Sequence, residues 1–265
     1  AASDVYKRQK YIKGFKDYSF LLSELVKKGI RLKYRRSYLG VLWSLIEPLL
    51  TTCVWVIVFG TLLGRGGRDY PMYLIIGRLT YSFFSGATKA ASKSVQANSS
   101  MIKKIYVPKY LYPLSAILYN FVIYLISLLV LIPVGIYCAV IPTWHIIEII
   151  PALALLLVMA TGFGMVLATL NVFFRDIEYL WNVGLLLVMY MSAIFYYPEK
   201  LLKSGYAWIL KYNPLYHVIN MCRGAFLGYT VSSKAILYTA GWAFGSLIIG
   251  VIFFKKKQDD FILHL

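Results

Sequence analysis

The chain has 265 residues, of which 60% are hydrophobic and only 15% charged, and its mean hydropathy is +0.66. A soluble domain carries about 45–50% apolar and about 25% charged residues, so a water-soluble globule of this size would lack the polar surface to cover itself. The formal charge of +17, from 28 Lys+Arg against 11 Asp+Glu, sits mainly between and outside the apolar stretches; that placement argues against nucleic acid and for topology signals and anionic lipid.

Residues 1–40 form the first predicted element. From Phe15 the apolar residues recur at Tyr18, Leu21, Leu22, Leu25, Val26 and Ile30, while Lys16, Asp17, Ser23, Glu24, Lys27, Lys28 and Arg31 fill the other face. Steps of three and four predict a helix with one apolar face. Such a helix, basic on its polar side, lies in the headgroup plane or packs on a partner. No signal peptide is expected, because the first long apolar run begins near Val41 behind this leader.

Six apolar stretches follow, at roughly 41–63, 71–91, 112–140, 146–171, 178–197 and 236–254. A span needs about 20 residues, and all six reach that length. The third is overlong and contains Pro133, which predicts a kink or an interfacial end. Between the fifth and sixth, residues 198–235 are too short and broken to span, yet apolar enough for re-entrant half-helices. The expected fold is therefore an all-α membrane protein: an interface helix over 1–40, six transmembrane helices over 41–254, and a tail over 255–265. With six spans both termini share a side, and nineteen Lys+Arg fall there against seven on the other. That asymmetry places both termini in the cytoplasm.

Catalytic equipment is sparse. His145, His217 and His264 are scattered, no HExxH, GxSxG or paired-carboxylate cluster occurs, and Gly-Lys is absent, which removes a Walker A lysine. Cys53, Cys138 and Cys222 show no CxxC spacing, so neither metal nor redox chemistry is expected, and the reading favoured is small buried apolar side chains. No cofactor is expected on this chain; ATP and Mg, if used, belong to a partner.

Two ionisable groups fall inside spans: Glu47 in the first, beside Pro48, and Arg78 in the second. Each is costly at membrane depth and so marks a polar path, a pair, or a shallow position. Aromatic residues make up 17% of the chain; many stand at span ends, as an interfacial belt requires. Tyr81, Phe84, Tyr190 and Phe195, with Glu47 and Arg78, are the candidate channel lining, since aromatic faces suit sugar rings; belt or packing remains the alternative. The loop over 92–111 offers a short helix capped by Asn98, Ser99 or Ser100 and stopped by Pro108. Ser99, Met101, Ile102, Lys103, Lys104, Ile105 and Tyr106 are its candidate partner-contact residues, with a plain interfacial loop as the other reading.

Four stretches in order carry a family resemblance: Lys33-Tyr34-Arg35-Arg36-Ser37-Tyr38-Leu39-Gly40-Val41-Leu42-Trp43-Ser44, Lys103-Lys104-Ile105-Tyr106-Val107-Pro108, Leu170-Asn171-Val172-Phe173-Phe174-Arg175-Asp176-Ile177, and Tyr212-Asn213-Pro214-Leu215. Together they resemble the membrane subunit of the ABC exporters of bacterial cell-surface glycopolymers, the O-antigen, capsule and teichoic-acid family. The resemblance implies a homodimer in the bacterial plasma membrane with two cytoplasmic ATPase subunits. It implies as substrate a polymer on an undecaprenyl-diphosphate-type lipid, a coupling helix in the 92–111 loop, and re-entrant helices capping the channel outside. Arg78 departs from the neutral residue usual in the family early in span two. Asp176 is placed to cap span five, and Arg175 to anchor on lipid phosphate or on the partner. Lys33, Arg35 and Arg36 stand where a lipid diphosphate would arrive, where positive-inside topology alone would also put them. The competing functions are an ABC permease for a small drug or lipid, an integral membrane sugar-transfer enzyme, and a bare channel.

Overall fold

The computed structural model describes residues 2–62, 64, 67–104, 107–141 and 143–264, with side chains left undescribed at 2–17, 61–62 and 262–263. All regular structure among these residues is helical. Helix α1 (Ala2–Lys33) lies along α5 (Leu111–Ser127), and the approach is so close that a Cβ on Gly29 would stand 2.5 Å from the Tyr119 ring. After α1 the chain turns through Ser37, whose Oγ accepts from the Gly40 amide at 3.2 Å. Arg36 and Gly40 take φ of +67° and +51° there, so the glycine of this stretch serves a left-handed turn. Helix α2 (Trp43–Trp55) follows a 3-10 turn at Gly40–Leu42 and relaxes into π-helical winding at Val56–Leu62.

Helix α3 (Tyr70–Ala97) is the centre of the molecule. It packs on α5, on α7 (Ile149–Phe173) and on α11 (Pro214–Leu227), and its Tyr70, Leu74, Ile75, Ile76, Phe83 and Phe84 lie in the largest buried cluster. A helix wrapped by protein rather than lipid tolerates polar positions, which is how α3 carries the partly buried Arg78, whereas Lys89 and Lys93 are exposed. Helix α4 (Ser99–Ile102) is a single turn after α3. The overlong third stretch is α5, a 3-10 turn at Leu128–Val130, and α6 (Leu131–Cys138). The change of winding sits just before Pro133, which cannot donate to the turn ahead of it.

Helix α7 meets α12 (Ser233–Lys257) backbone to backbone. A Cβ on Gly162 would land on the Ser246–Leu247 peptide, and one on Gly250 would sit 2.5 Å from the Gly162 carbonyl oxygen. Small residues permit this approach between apolar helices. Helix α8 (Ile177–Tyr190) follows a tight turn at 174–176. The semi-polar region holds two single turns, α9 (Glu199–Leu202) and α10 (Trp208–Lys211), and then α11.

Among the described residues, four helical segments are long and apolar enough to cross a membrane: Gly40–Gly60, Leu111–Cys138, Trp144–Phe173 and Ser233–Lys257. The remaining two predicted spans correspond to α3, long but amphipathic, and to α8, with 14 residues. At about 1.5 Å per residue α8 is only about 21 Å long, short of a hydrocarbon core of about 30 Å.

The described part of the tail, residues 255–264, does not trail free. Helix α13 (Phe261–His264) folds back, Phe261 is fully buried, and its ring meets Phe254 at 5.2 Å and Phe173 at 5.9 Å. Ile102, Tyr112, Val172, Phe254 and Phe261 share one cluster, with Leu25 of α1 packed against it, so the C-terminal half of α1 and the end of the chain near Phe261 meet.

Candidate functional site: a charged cavity between three helices

On α2, Ser44, Glu47, Pro48, Thr51 and Thr52 recur at steps of three and four and form a polar stripe on an otherwise apolar helix. The stripe faces Arg78, Leu79, Ser82 and Phe83 of α3, and Asn120, Tyr124 and Ser127 of α5. A cavity of about 110 Å³ lies between them, extending to Lys33 and Tyr34 at the end of α1. Arg78 Nε donates to Thr51 Oγ1 at 3.2 Å, and Thr51 Oγ1 donates to the Glu47 carbonyl at 2.7 Å. Thr80 and Tyr124 hydroxyls pair at 3.1 Å behind the wall, with the Tyr124 ring stacked on Phe83 at 5.1 Å. Thr52 Oγ1 is buried and unpaired among the described residues.

Glu47 and Arg78 therefore face one cavity, but no ion pair within 4.0 Å joins them. Partial burial pushes the Lys33 ammonium below its ordinary value, and the nearby Glu47 carboxylate pushes it back up. Two cations, one carboxylate and several hydroxyls can hold a phosphate or a hydroxylated headgroup. No group of three or more His, Cys, Asp and Glu that could hold a metal exists among the described residues.

The other predicted lining residues are scattered. Tyr81 donates from its hydroxyl to the Leu185 carbonyl at 2.8 Å. Phe84 is buried between Phe163 and Trp181, at 5.7 and 6.4 Å. Phe195 is buried against Trp55 and Phe59, at 4.8 and 5.2 Å, with half-exposed Tyr190 at 6.1 Å. Arg35, Arg36 and Arg175 are exposed.

The 92–111 loop differs from its expectation. Ile102 is 8% exposed and belongs to the cluster of Phe254 and Phe261, with Met101 packed beside it. Part of the apolar face that was expected to want a partner is thus buried within the chain, in a cluster that also draws in Tyr112, Val172, Phe254 of α12 and Phe261 of α13. Lys103 and Lys104 are exposed and Ser99 half-buried, while Ile105 and Tyr106 lie outside the described residues. The Asn98 side chain does not cap α4; its Nδ2 donates back to the Ser94 carbonyl at 2.8 Å. Asp176 occupies the cap position just ahead of α8, but its carboxylate accepts no capping bond. Instead Lys93 and Glu178 tie α3 to α8 at 2.5 Å.

Sequence reasoning missed Arg223, which falls outside the six apolar stretches. It is 1% exposed on α11. Its Nε donates to the Tyr73 carbonyl at 3.1 Å, its Nη2 to the carbonyls of Ala193 and Ile194 at 3.1 and 3.4 Å, and its Cζ lies 3.4 Å from the Tyr73 ring centre. Two of the motif asparagines have comparable work. Asn171 Nδ2 donates to the Ser92 carbonyl at 3.0 Å and ties α7 to α3. Asn213 Oδ1 accepts from the amides of Leu215 and Tyr216 at 3.0 and 3.3 Å, capping α11 ahead of Pro214.

Comparison with known proteins completes the picture. The profile of ABC-2 type transporters matches residues 21–227. The O-antigen export system permease protein RfbA of Klebsiella pneumoniae is 28% identical over 244 residues, covering 91% of this chain and 93% of that protein. The polysialic acid transport protein KpsM of Escherichia coli is 21% identical over 257 residues, covering 93% and 96%. The capsule polysaccharide export inner-membrane protein CtrC of Neisseria meningitidis is 22% identical over 220 residues, covering 80% and 81%. A match from α1 to the end of α11, over the helices that build the cavity, makes this chain a member of the ABC-2 type transporter membrane family.

Proposed function

We propose that this chain is the membrane subunit of an ATP-driven exporter that moves a lipid-linked surface polysaccharide or teichoic acid out of the cytoplasm. The observation that carries the reading is end-to-end similarity, over 91–93% of the chain, to permeases named for O-antigen export and polysialic acid transport. Neither small-drug permeases nor sugar transferases appear among those relatives.

In this reading two copies assemble with two ATPase subunits, which hold ATP and Mg, in the bacterial plasma membrane. Helices α2, α3, α5–α6, α7 and α12 are five of the spans and α8, extended by the turn over 191–196, is the sixth, with α9–α11 re-entrant from the outer face. Burial of Arg223 leaves six Lys+Arg on the outer side against nineteen on the side of the termini, which favours cytoplasmic termini. Lys103, Lys104 and Ser99 face the ATPase, whereas Ile102 holds the loop to the buried cluster beneath it. Exposed Arg35, Arg36 and Arg175 attract the lipid diphosphate to the headgroup region, and Lys33, Glu47 and Arg78 line its polar path. Tyr81, Phe84, Tyr190 and Phe195 would reach the polymer only after the helices rearrange or the second copy joins.

The test is deletion of the gene in its own host. Surface polymer should disappear while lipid-linked polymer accumulates inside, and restoring the chain together with its ATPase should reverse both. Unaltered surface polymer in the deletion strain would overturn the reading.

A further inference from the structure

Helix α8 ends in a tight turn over 191–196, in which Ala193 takes a φ of +49°. A non-glycine residue in that region is strained, so the surroundings must enforce it. They do so with side-chain donors from two other elements. Tyr70 donates to the Phe195 carbonyl at 2.9 Å, and Tyr73 to the carbonyls of Ala193 and Tyr196, both at 3.0 Å. Asn213 Nδ2 donates to the Met191 carbonyl and to Ser192 Oγ, both at 2.9 Å. Arg223 joins all three parts, because one guanidinium bonds the α3 backbone at Tyr73, bonds the turn at Ala193 and Ile194, and lies on the Tyr73 ring.

The fit is specific. A Cβ on Gly77 would stand 2.6 Å from Arg223 Nη2, so α3 makes room for the guanidinium with a missing side chain. Arg223 Nη1 is buried without a partner among the described residues. Separating α11 from α3 would strand a charge and several carbonyls that now satisfy one another, in surroundings with little water to replace them.

We propose that Arg223 is a positioning residue that welds α11, the outer half of α3 and the 191–196 turn into one block, which moves as a unit during transport. The block carries Phe195, and through it the contact with Trp55 and Phe59 of the first span. Opening of the outer end then occurs around this block and not between α11 and α3. The term outer rests on the function proposed above; the existence of the block does not.

Cys222, the neighbour of Arg223, is 1% exposed and lies against the hydroxyls of Thr80 and Tyr124, so it reports on the α11–α3 seam. The complex with its ATPase would be prepared with Cys53→Ser and Cys138→Ala, leaving Cys222 as the one thiol on this chain. Labelling by N-ethylmaleimide would then be followed at rest, with ATP during turnover, and with vanadate. Cys222 should remain protected in all three states, and in Arg223→Lys it should label at least tenfold faster. Faster labelling during turnover of the unmutated block would overturn the proposal, as would an Arg223→Lys protein as protected as its parent. If Arg223→Lys fails to assemble, the turnover arm still decides. Because thiol labelling needs no polymer, loss of the export reading would leave this result intact.

Discussion

Arg78 and Arg223 are both cations in apolar helices, and the protein treats them in opposite ways. Arg78 is half-buried at the edge of a cavity, with one hydroxyl acceptor for Nε and no hydrogen bond to its Nη groups among the described residues. Arg223 is sealed in, with three backbone carbonyls and an aromatic face around it. A cation whose Nη groups open into a polar cavity is free to meet a ligand; one sealed among backbone carbonyls is part of the scaffold. The comparison separates a site from a strut, although the two residues are chemically identical.

The largest expected effect is at the strut. Arg223→Met keeps the length of the side chain but removes every donor from the carbonyls of Tyr73, Ala193 and Ile194. With about 1–3 kcal/mol for each buried group left short of a partner, a loss of roughly 3 kcal/mol or more is expected. Thermal unfolding in detergent checks it. A loss below about 1 kcal/mol would show that Tyr70, Tyr73 and Asn213 hold the turn unaided.

Next comes Ile102→Asp, which would place a carboxylate among Val95, Tyr112, Phe254 and Phe261. Burying an unpaired charge is expected to cost about 2–4 kcal/mol and to lower the yield of folded protein before any partner is considered. Lys103→Glu with Lys104→Glu, both exposed, should leave folding within about 0.5 kcal/mol while weakening retention of the ATPase in pull-downs. The opposite pattern, folded Ile102→Asp that sheds the ATPase, would restore the loop as an exposed coupling surface.

Gly77→Ala follows, at about 1–3 kcal/mol, the usual range for overpacking. The new methyl would stand 2.6 Å from Arg223 Nη2, so the guanidinium must shift off the Ala193 carbonyl. A tolerated Gly77→Ala would mean that Arg223 has room to move, and would weaken the case for a rigid block.

What the sequence made legible follows the physics of each signal. Helical periodicity, apolar length and Pro133 marked the four long apolar segments and the break in the third, because these depend on local pattern alone. Glu47 and Arg78 were visible because they interrupt apolar runs. Arg223 was hidden because the Tyr216–Leu227 patch around it is semi-polar, and its partners lie 150 positions earlier at Tyr73 and 30 and 29 positions earlier at Ala193 and Ile194. The burial of Ile102 was hidden for a related reason: its cluster draws in Tyr112, Val172, Phe254 and Phe261 from distant parts of the chain. The motif asparagines could be read as family markers, but their acceptors at Ser92 and Met191 exist only in the folded chain.

The smallest effect on stability, and the sharpest on function, is expected at Arg78. Arg78→Gln keeps a polar group near Thr51, so the 3.2 Å contact can be replaced, and the change should cost no more than about 1 kcal/mol. Were Arg78 paired structurally with Glu47, the single substitutions would each destabilise and the double substitution would restore stability. No ion pair within 4.0 Å links them, and across a polar cavity their attraction is about 1 kcal/mol or less. The double-mutant cycle of Arg78→Gln with Glu47→Gln should therefore show coupling below about 0.5 kcal/mol. Polymer export should nevertheless fall several-fold in Arg78→Gln, at unchanged protein level and dimer content, because the cavity loses the cation that meets an anionic substrate. Strong coupling would turn Arg78 into a second strut like Arg223. Export equal to the wild type would leave the cavity with no role in transport.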